Sequence, residues 1–116
     1  MSSYPDLRLR TKQFALAIIR LCRELPRNTE GFVIGKQLIR SGTSVAANYR
    51  ATQRARSKAE FISKIGIVVE EADETQFWLE LLEEANITSA SKLAALRQES
   101  NELVAIFSAS QKTAKQ

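Results

Sequence analysis

The sequence contains no histidine, and this absence excludes more chemistry than any other feature of its composition. Without histidine there is no Ser-His-Asp or Cys-His nucleophile pair, no His-ligated zinc, and no ordinary general base with a pKa near neutrality. The single cysteine, Cys22, excludes an internal disulfide and a cysteine-rich metal site, and its place beside an apolar stripe favours a small buried hydrophobe. We therefore expect a protein that is not an enzyme and that binds no metal or other cofactor.

Glycine and proline are also scarce, with four and two residues among 116. An all-β fold needs many tight turns, which these residues usually form, so the composition argues against that fold class. No apolar run approaches the ~18 residues that a membrane span needs, and no signal-peptide apolar region precedes Arg8 and Arg10. The length suits one domain over residues 1–116. We expect a cytoplasmic protein without membrane contact, disordered over 1–5 and frayed over 113–116.

Apolar residues recur at helical spacing in four stretches, which predicts an all-α, antiparallel up-down-up-down four-helix bundle. Asp6 is a suitable cap for the first helix, Pro26 ends it, and Ser57 with Glu60 has the spacing of a capping box before the third. The second helix is predicted to continue through the small residues 41–44, because its stripe keeps its phase. The stripes are Phe14-Ile18-Leu21-Leu25, Leu38-Val45-Tyr49, Phe61-Ile65-Val68-Ala72-Leu79-Leu82 and Leu93-Leu96-Ser100-Leu103-Phe107.

The third helix carries a second apolar face. Ile67, Trp78 and Leu81 fall opposite its core stripe and are expected to face outward in a monomer. Exposed apolar patches usually mark interfaces, so this face predicts self-association; the alternative is an irregular bundle in which Trp78 packs under a loop. Glu71 and Glu74 share the face and either pair with arginines of a neighbouring subunit or are solvated. Four phenylalanines are interpreted as packing residues: Phe14, Phe61, Phe77 and Phe107.

Charge is distributed unevenly along the chain. The net charge is +4, yet residues 1–64 hold 13 Lys and Arg against four acids, whereas residues 65–116 hold four against nine. In the predicted topology, the start of the first helix, the end of the second, the start of the third and the end of the fourth meet at one pole. The cations gathered there are Arg8, Arg10, Lys12, Arg50, Arg54, Arg56, Lys58, Lys112 and Lys115.

Only Asp6 and Glu60 oppose this basic pole, which suits the phosphate backbone of a nucleic acid. The alternative is that these cations only increase solubility or pair with the acidic third helix of a neighbour. Lys92 and Arg97 on the fourth helix lie away from the pole and provide a comparison. Aromatic residues are not interleaved with the cations, so base stacking and sequence-specific readout are not expected.

Three stretches carry a resemblance to a known family: GKQLIRSGTSVAANYR at 35–50, SKAEFISK at 57–64 and EADETQFWLELL at 71–82. Together they resemble the bacterial four-helix-bundle family of ribosomal RNA intervening-sequence proteins. That family is similar to the accessory variability proteins of diversity-generating retroelements, which assist a reverse transcriptase. The resemblance extends over roughly residues 10–107. It departs at Ala51, where the family commonly has glutamate, so any ion pair made by that acid is missing here.

The resemblance implies a ring-like homo-oligomer, a homopentamer, that binds RNA or an RNA–DNA hybrid. Together with the basic pole, it favours a non-enzymatic nucleic-acid-binding protein, with a role as a retroelement accessory factor among the possibilities. The competing hypothesis is a structural adaptor whose oligomeric surface binds a protein such as a reverse transcriptase. Salt dependence separates the two hypotheses, because phosphate binding weakens steeply with salt and an apolar interface does not.

Overall fold

The computed structural model of the protein describes residues 6–116. These residues form four helices: α1 (Leu7–Arg23), α2 (Thr29–Thr52), α3 (Lys58–Glu84) and α4 (Ala90–Lys115). These residues contain no strand. Helix α2 packs extensively against α1 and α3, and α3 against α4, whereas α1 and α4 meet much less. The predicted all-α, up-down-up-down bundle is therefore confirmed. None of its helices within 6–116 has both the length and the hydropathy needed to cross a membrane.

Polar side chains fix the helix starts. The Asp6 carboxylate accepts hydrogen bonds from the backbone N–H groups of Arg8 and Leu9 at 3.1 and 3.2 Å, and the Ser57 hydroxyl accepts from the Glu60 N–H at 3.0 Å. The predicted Asp6 cap and the hydroxyl half of the capping box are confirmed. The predicted disorder at 1–5 lies outside the described residues, while α4 stays helical to Lys115, into the segment predicted to fray.

The core consists of the predicted stripes, with Tyr49, Phe61 and Leu96 at its partly buried edge. Helix α2 runs unbroken through its small residues, as predicted, and these residues bring its neighbours close. A methyl group on Gly42 would lie 2.9 Å from Cγ1 of Ile18 in α1, which is closer than packed carbon atoms approach. On the other side, the hydroxyls of Ser41 and Thr75 are 2.9 Å apart. Close packing on both sides of α2 therefore fixes how α1 and α3 align along α2. This alignment places the helix ends that form the basic pole next to one another.

Candidate nucleic-acid interface

A groove of about 520 Å³ lies between the end of α2 and the start of α3. Small side chains, Ala47 and Ala51, leave the space between the two helices open. Long cationic side chains line it from the last turn of α2, the connecting loop and the second turn of α3: Arg50, Arg54, Arg56 and Lys64. Glu60 is the one acid in this lining, so four cations face one carboxylate. We call this the α2–α3 groove.

A second groove of about 490 Å³ lies between the start of α1 and the end of α2. Its cations are Arg8 and Lys12 from α1 and Arg50 from α2, and its acid is Asp6. The small residues Thr43, Ala46 and Ala47 again leave room between the helices. We call this the α1–α2 groove.

Arg50 lines both grooves, and so does Ala47, so the two are adjoining parts of one cationic surface across the end of α2. Among the residues described, five of its six cations form no salt bridge: Arg8, Lys12, Arg50, Arg54 and Arg56. The sixth, Lys64, has its Nζ atom 3.9 Å from a Glu60 carboxylate oxygen. The surface therefore presents guanidinium and ammonium donors that the described chain leaves without an acidic partner, apart from Lys64.

Arg10, which the sequence predicts as part of the basic pole, lines neither groove. Its guanidinium group donates to both carboxylate oxygens of Glu99 at 2.7 and 2.6 Å and to Glu102 at 3.0 Å. The Glu99 hydrogen bonds are the main reason that the pKa of Arg10 is raised above its ordinary value. Two residues along a helix is a turn of 200°, so Arg10 faces α4 while Arg8 faces α2.

Two lysines also differ from the predicted pole. Lys58 lines neither groove; its Nζ atom donates to the carbonyl oxygen of Gln116 at 3.5 Å, beside the end of α4. Lys64, which the sequence interpretation left out, lines the α2–α3 groove. It lies one turn after Glu60, on the same side of α3, and this i,i+4 spacing is the signal in the sequence that includes it.

The predicted oligomer face is more occupied within the subunit than expected. Ile67 is 40% exposed, in line with the prediction, but Trp78 and Leu81 are partly buried, and Trp78 packs against the core. Arg40 of the same chain forms ion pairs with Glu71 and Glu74, so neither carboxylate is simply solvated. Trp78 then donates its indole N–H to Glu74 at 3.0 Å.

Phe77 is the most exposed aromatic residue of α3, which corrects its interpretation as a packing residue. It is 49% exposed and contacts Trp78 edge to face, with ring centroids 5.0 Å apart. Phe32 and Val33, near the start of α2, are 64% and 56% exposed. The ion pair between Arg40 of α2 and Glu74 of α3 aligns these two antiparallel helices. Two turns further from the basic pole, Val33 of α2 therefore lies at the same level as Leu81 of α3. An apolar surface thus occupies the opposite half of the α2–α3 face.

Cys22 is a half-buried free thiol between α1 and α2. Its Sγ atom donates to the carbonyl oxygen of Gly35 at 3.6 Å, and burial raises the pKa of the Cys22 thiol to about 11. The thiol is therefore protonated near neutral pH, whereas a nucleophile or metal ligand must be a thiolate. This environment agrees with the interpretation of Cys22 as a small packing residue.

The family described as 23S rRNA-intervening sequence protein matches residues 7–109, nearly the whole of the four-helix bundle. The chain belongs to this family. A similar solved structure is that of a protein of unknown function from the S23 ribosomal protein family of Bacteroides thetaiotaomicron VPI-5482, which is 34% identical and has a TM-score of 0.84. That alignment covers 90% of this chain and 97% of the other. Among curated proteins, none matches the chain.

The position of Ala51 in the structure bears on the charge of the site. The residue lines the α2–α3 groove beside Arg50 and Arg54. Glutamate, which the resemblance described in the sequence analysis implies at this position, would place a second carboxylate among the four cations of the groove. Alanine leaves the groove more strongly cationic and leaves its arginines without that acidic partner.

Proposed function

We propose that the protein is a non-enzymatic nucleic-acid-binding protein whose two adjoining grooves hold a phosphate backbone. The observation that carries the proposal is the position of Arg50, which lines both grooves and joins the cations of α1 to those of α2 and α3. Phosphate contacts supply most non-specific affinity for nucleic acids, and arginine matches phosphate through paired N–H donors.

The lining of the grooves favours backbone contacts over base readout. Among the described residues, no aromatic side chain lines either groove, so bases have no ring on which to stack. The cations project from helix ends and a loop, beside small residues that let a backbone approach closely. The proposed ligand is structured RNA or an RNA–DNA hybrid, held by its shape and charge and not by its sequence.

Charge reversal in the α2–α3 groove tests this proposal. The double variant Arg54→Glu and Arg56→Glu is expected to weaken binding to a fluorescent RNA hairpin by about tenfold or more, because two phosphate contacts become repulsive. Fluorescence anisotropy at ~0.1 M salt measures the affinity. A matched control reverses Arg23 and Arg27 at the opposite end of the bundle, where both are exposed and form no ion pair with the described residues.

The control variant is expected to lose much less affinity than the groove variant, although its net charge changes by the same amount. Equal losses in the two variants would show that only bulk charge attracts the nucleic acid. No binding by the unmodified protein at this salt concentration would contradict the proposal outright.

We also propose that the protein acts as a cyclic homo-oligomer, a pentamer, in which the basic ends of all subunits point the same way. The support is the exposed apolar surface of Phe32, Val33 and Phe77, because a monomer seldom leaves large aromatic residues in water. Phe77→Glu is expected to reduce the mass in multi-angle light scattering to that of the 13.0 kDa subunit. Leu16→Glu, at an exposed apolar position of α1, is the control that keeps the larger mass. A monomeric unmodified protein would contradict the proposal.

A protein partner is the second candidate for the same apolar surface. In this proposal, the protein is an adaptor for an enzyme such as the reverse transcriptase of a diversity-generating retroelement, a role that remains a prediction from the sequence. The exposed Phe77 is the observation in its favour, since half-exposed aromatic residues often anchor protein interfaces. Two results together would support the adaptor. A reverse transcriptase should bind the unmodified protein at high salt, and it should fail to bind the Phe77→Glu variant although the variant keeps the same mass as the unmodified protein in light scattering.

A further inference from the structure

We propose that Glu60 makes the α2–α3 groove select RNA over DNA by accepting a hydrogen bond from a ribose 2′-hydroxyl. This inference rests on the proposed nucleic-acid function and names the class of ligand at the same site. Glu60 is the one carboxylate among the side chains that line this groove, where four cations surround it. An acid in that position repels phosphate but places a strong hydrogen-bond acceptor directly beside the cations.

The carboxylate of Glu60 has unused hydrogen-bonding capacity. No hydrogen bond from a described residue reaches it, and its cationic neighbour, Lys64 Nζ, is 3.9 Å away, beyond hydrogen-bonding distance. The Ser57 hydroxyl accepts from the Glu60 backbone N–H, so the backbone is fixed while the side chain lines the groove.

Asp6, the acid of the α1–α2 groove, provides the contrast. Its carboxylate accepts from the backbone N–H groups of Arg8 and Leu9 and thereby caps α1. Both backbone hydrogen bonds go to Oδ1 of Asp6, so this carboxylate serves mainly as a helix cap. Glu60 accepts no hydrogen bond from a described residue and has only the 3.9 Å ion pair with Lys64. Of the two groove acids, Glu60 is therefore the one with both carboxylate oxygens available to a ligand.

The ligand that fits such a groove carries phosphate and a hydrogen-bond donor close together. In RNA, each ribose has a 2′-hydroxyl between successive phosphates, and DNA lacks this group. A hydroxyl donating to an ionised carboxylate forms a strong, charge-assisted hydrogen bond. In the complex with RNA this bond offsets the repulsion between Glu60 and the backbone; in the complex with DNA the repulsion remains.

Three hairpin oligonucleotides of one sequence test the inference: RNA, DNA, and RNA with 2′-fluoro groups in place of the hydroxyls. The fluoro form cannot donate a hydrogen bond, so it separates the donor from the shape of the RNA strand. We expect the unmodified protein to prefer RNA by about tenfold over the other two. Anisotropy titrations measure the affinities, and circular dichroism checks that each variant folds.

Removal of the acceptor should abolish this preference. In Glu60→Ala, we expect DNA and 2′-fluoro RNA to bind more tightly while RNA does not, so the three affinities converge. Glu60→Gln keeps an amide oxygen as acceptor and should retain an intermediate preference for RNA. Glu70→Ala removes the same charge from an exposed position of α3 outside the groove and should leave the preference unchanged.

Two results would overturn the inference and leave the proposed function intact. One is equal affinity of the unmodified protein for RNA and DNA; the other is a uniform gain for all three oligonucleotides in Glu60→Ala, which would mean that Glu60 acts only through its charge. No binding of any oligonucleotide by the unmodified protein is a different outcome, because it overturns the proposed function itself.

Discussion

The two sides of α1 treat their cations in opposite ways. Facing α4, Arg10 donates three hydrogen bonds to Glu99 and Glu102 and is only 24% exposed. Facing α2, Arg8 and Lys12 line a groove and form no ion pair with the described residues. These three residues lie within five consecutive positions of one helix. The comparison teaches that cations close together in sequence are either ion-paired within the bundle or left unpaired in a groove, according to which neighbouring helix supplies acids.

The two sides of α1 are also held differently. Contact with α4 is limited, and Arg10 provides its charged part. Contact with α2 is extensive and close, since Ile18 lies against Gly42 and Leu25 against Gly35. The ion pairs of Arg10 therefore stabilise the α1–α4 seam, where the two helices meet little. The α1–α2 seam is held by close packing, so Arg8 and Lys12 are not needed for ion pairs there.

The largest expected effect comes from reversing the charge that holds the α1–α4 seam. Arg10→Glu removes a bidentate ion pair and sets three carboxylates together, so we expect the free energy of unfolding to fall by about 2–3 kcal/mol. Urea denaturation followed by circular dichroism measures it. Arg8→Glu, two residues away, changes the charge equally and should alter stability by less than about 0.5 kcal/mol. If both variants lose the same stability, the two sides of α1 do not differ as described.

A smaller effect is expected from the packing on the α2 side. Gly42→Ala places a methyl group against the branched, fully buried side chain of Ile18, so overpacking should exceed the gain in helix propensity and lower stability by about 1–2 kcal/mol. The matched control is Gly66→Ala in α3. There the added methyl group meets only the end of the flexible Gln111 side chain, so stability should rise by up to about 1 kcal/mol. Thermal denaturation of both variants gives the comparison, and a Gly42→Ala protein at least as stable as the parent would contradict close packing at this seam.

Local patterns in the sequence were sufficient for the fold. The spacing of apolar residues predicted the four helices and nearly all of the core, because helical periodicity is a property of neighbouring residues. Asp6 and Ser57 gave two helix starts for the same reason. The continuity of α2 through Gly42 was also predictable, since the stripe keeps its phase even where helix propensity is low.

The candidate site was predicted in part, because charge counting identifies the end of the bundle but not the partners of each cation. Glu99 is 89 positions from Arg10, and only the packing of α1 beside α4 brings them together. The pairing of Arg40 with Glu71 and Glu74 is equally non-local. Such long-range pairs depend on the rotation of each helix about its axis, which a stripe defines only to within tens of degrees.

The spacing of apolar residues also could not predict which single aromatic residues are exposed. Phe77 and Trp78 are adjacent, and either could have been the one directed away from the core. In the structure Trp78 packs against the core and donates its indole N–H to Glu74, one turn earlier in α3, while Phe77 is left in contact with solvent. A partner for its indole N–H allows tryptophan to be largely buried.

The salt dependence of RNA binding tests the central claim, that unpaired groove cations and not paired ones contact phosphate. For the RNA hairpin, the slope of log affinity against log salt concentration should be about −4.5 for the parent protein, from the five unpaired groove cations at about −0.9 for each duplex phosphate. Neutralising Arg8 and Lys12 with glutamine should reduce the magnitude of the slope by about 1.8, whereas Arg10→Gln should leave the slope unchanged. An equal reduction in both variants, or a parent slope near zero, would contradict the account.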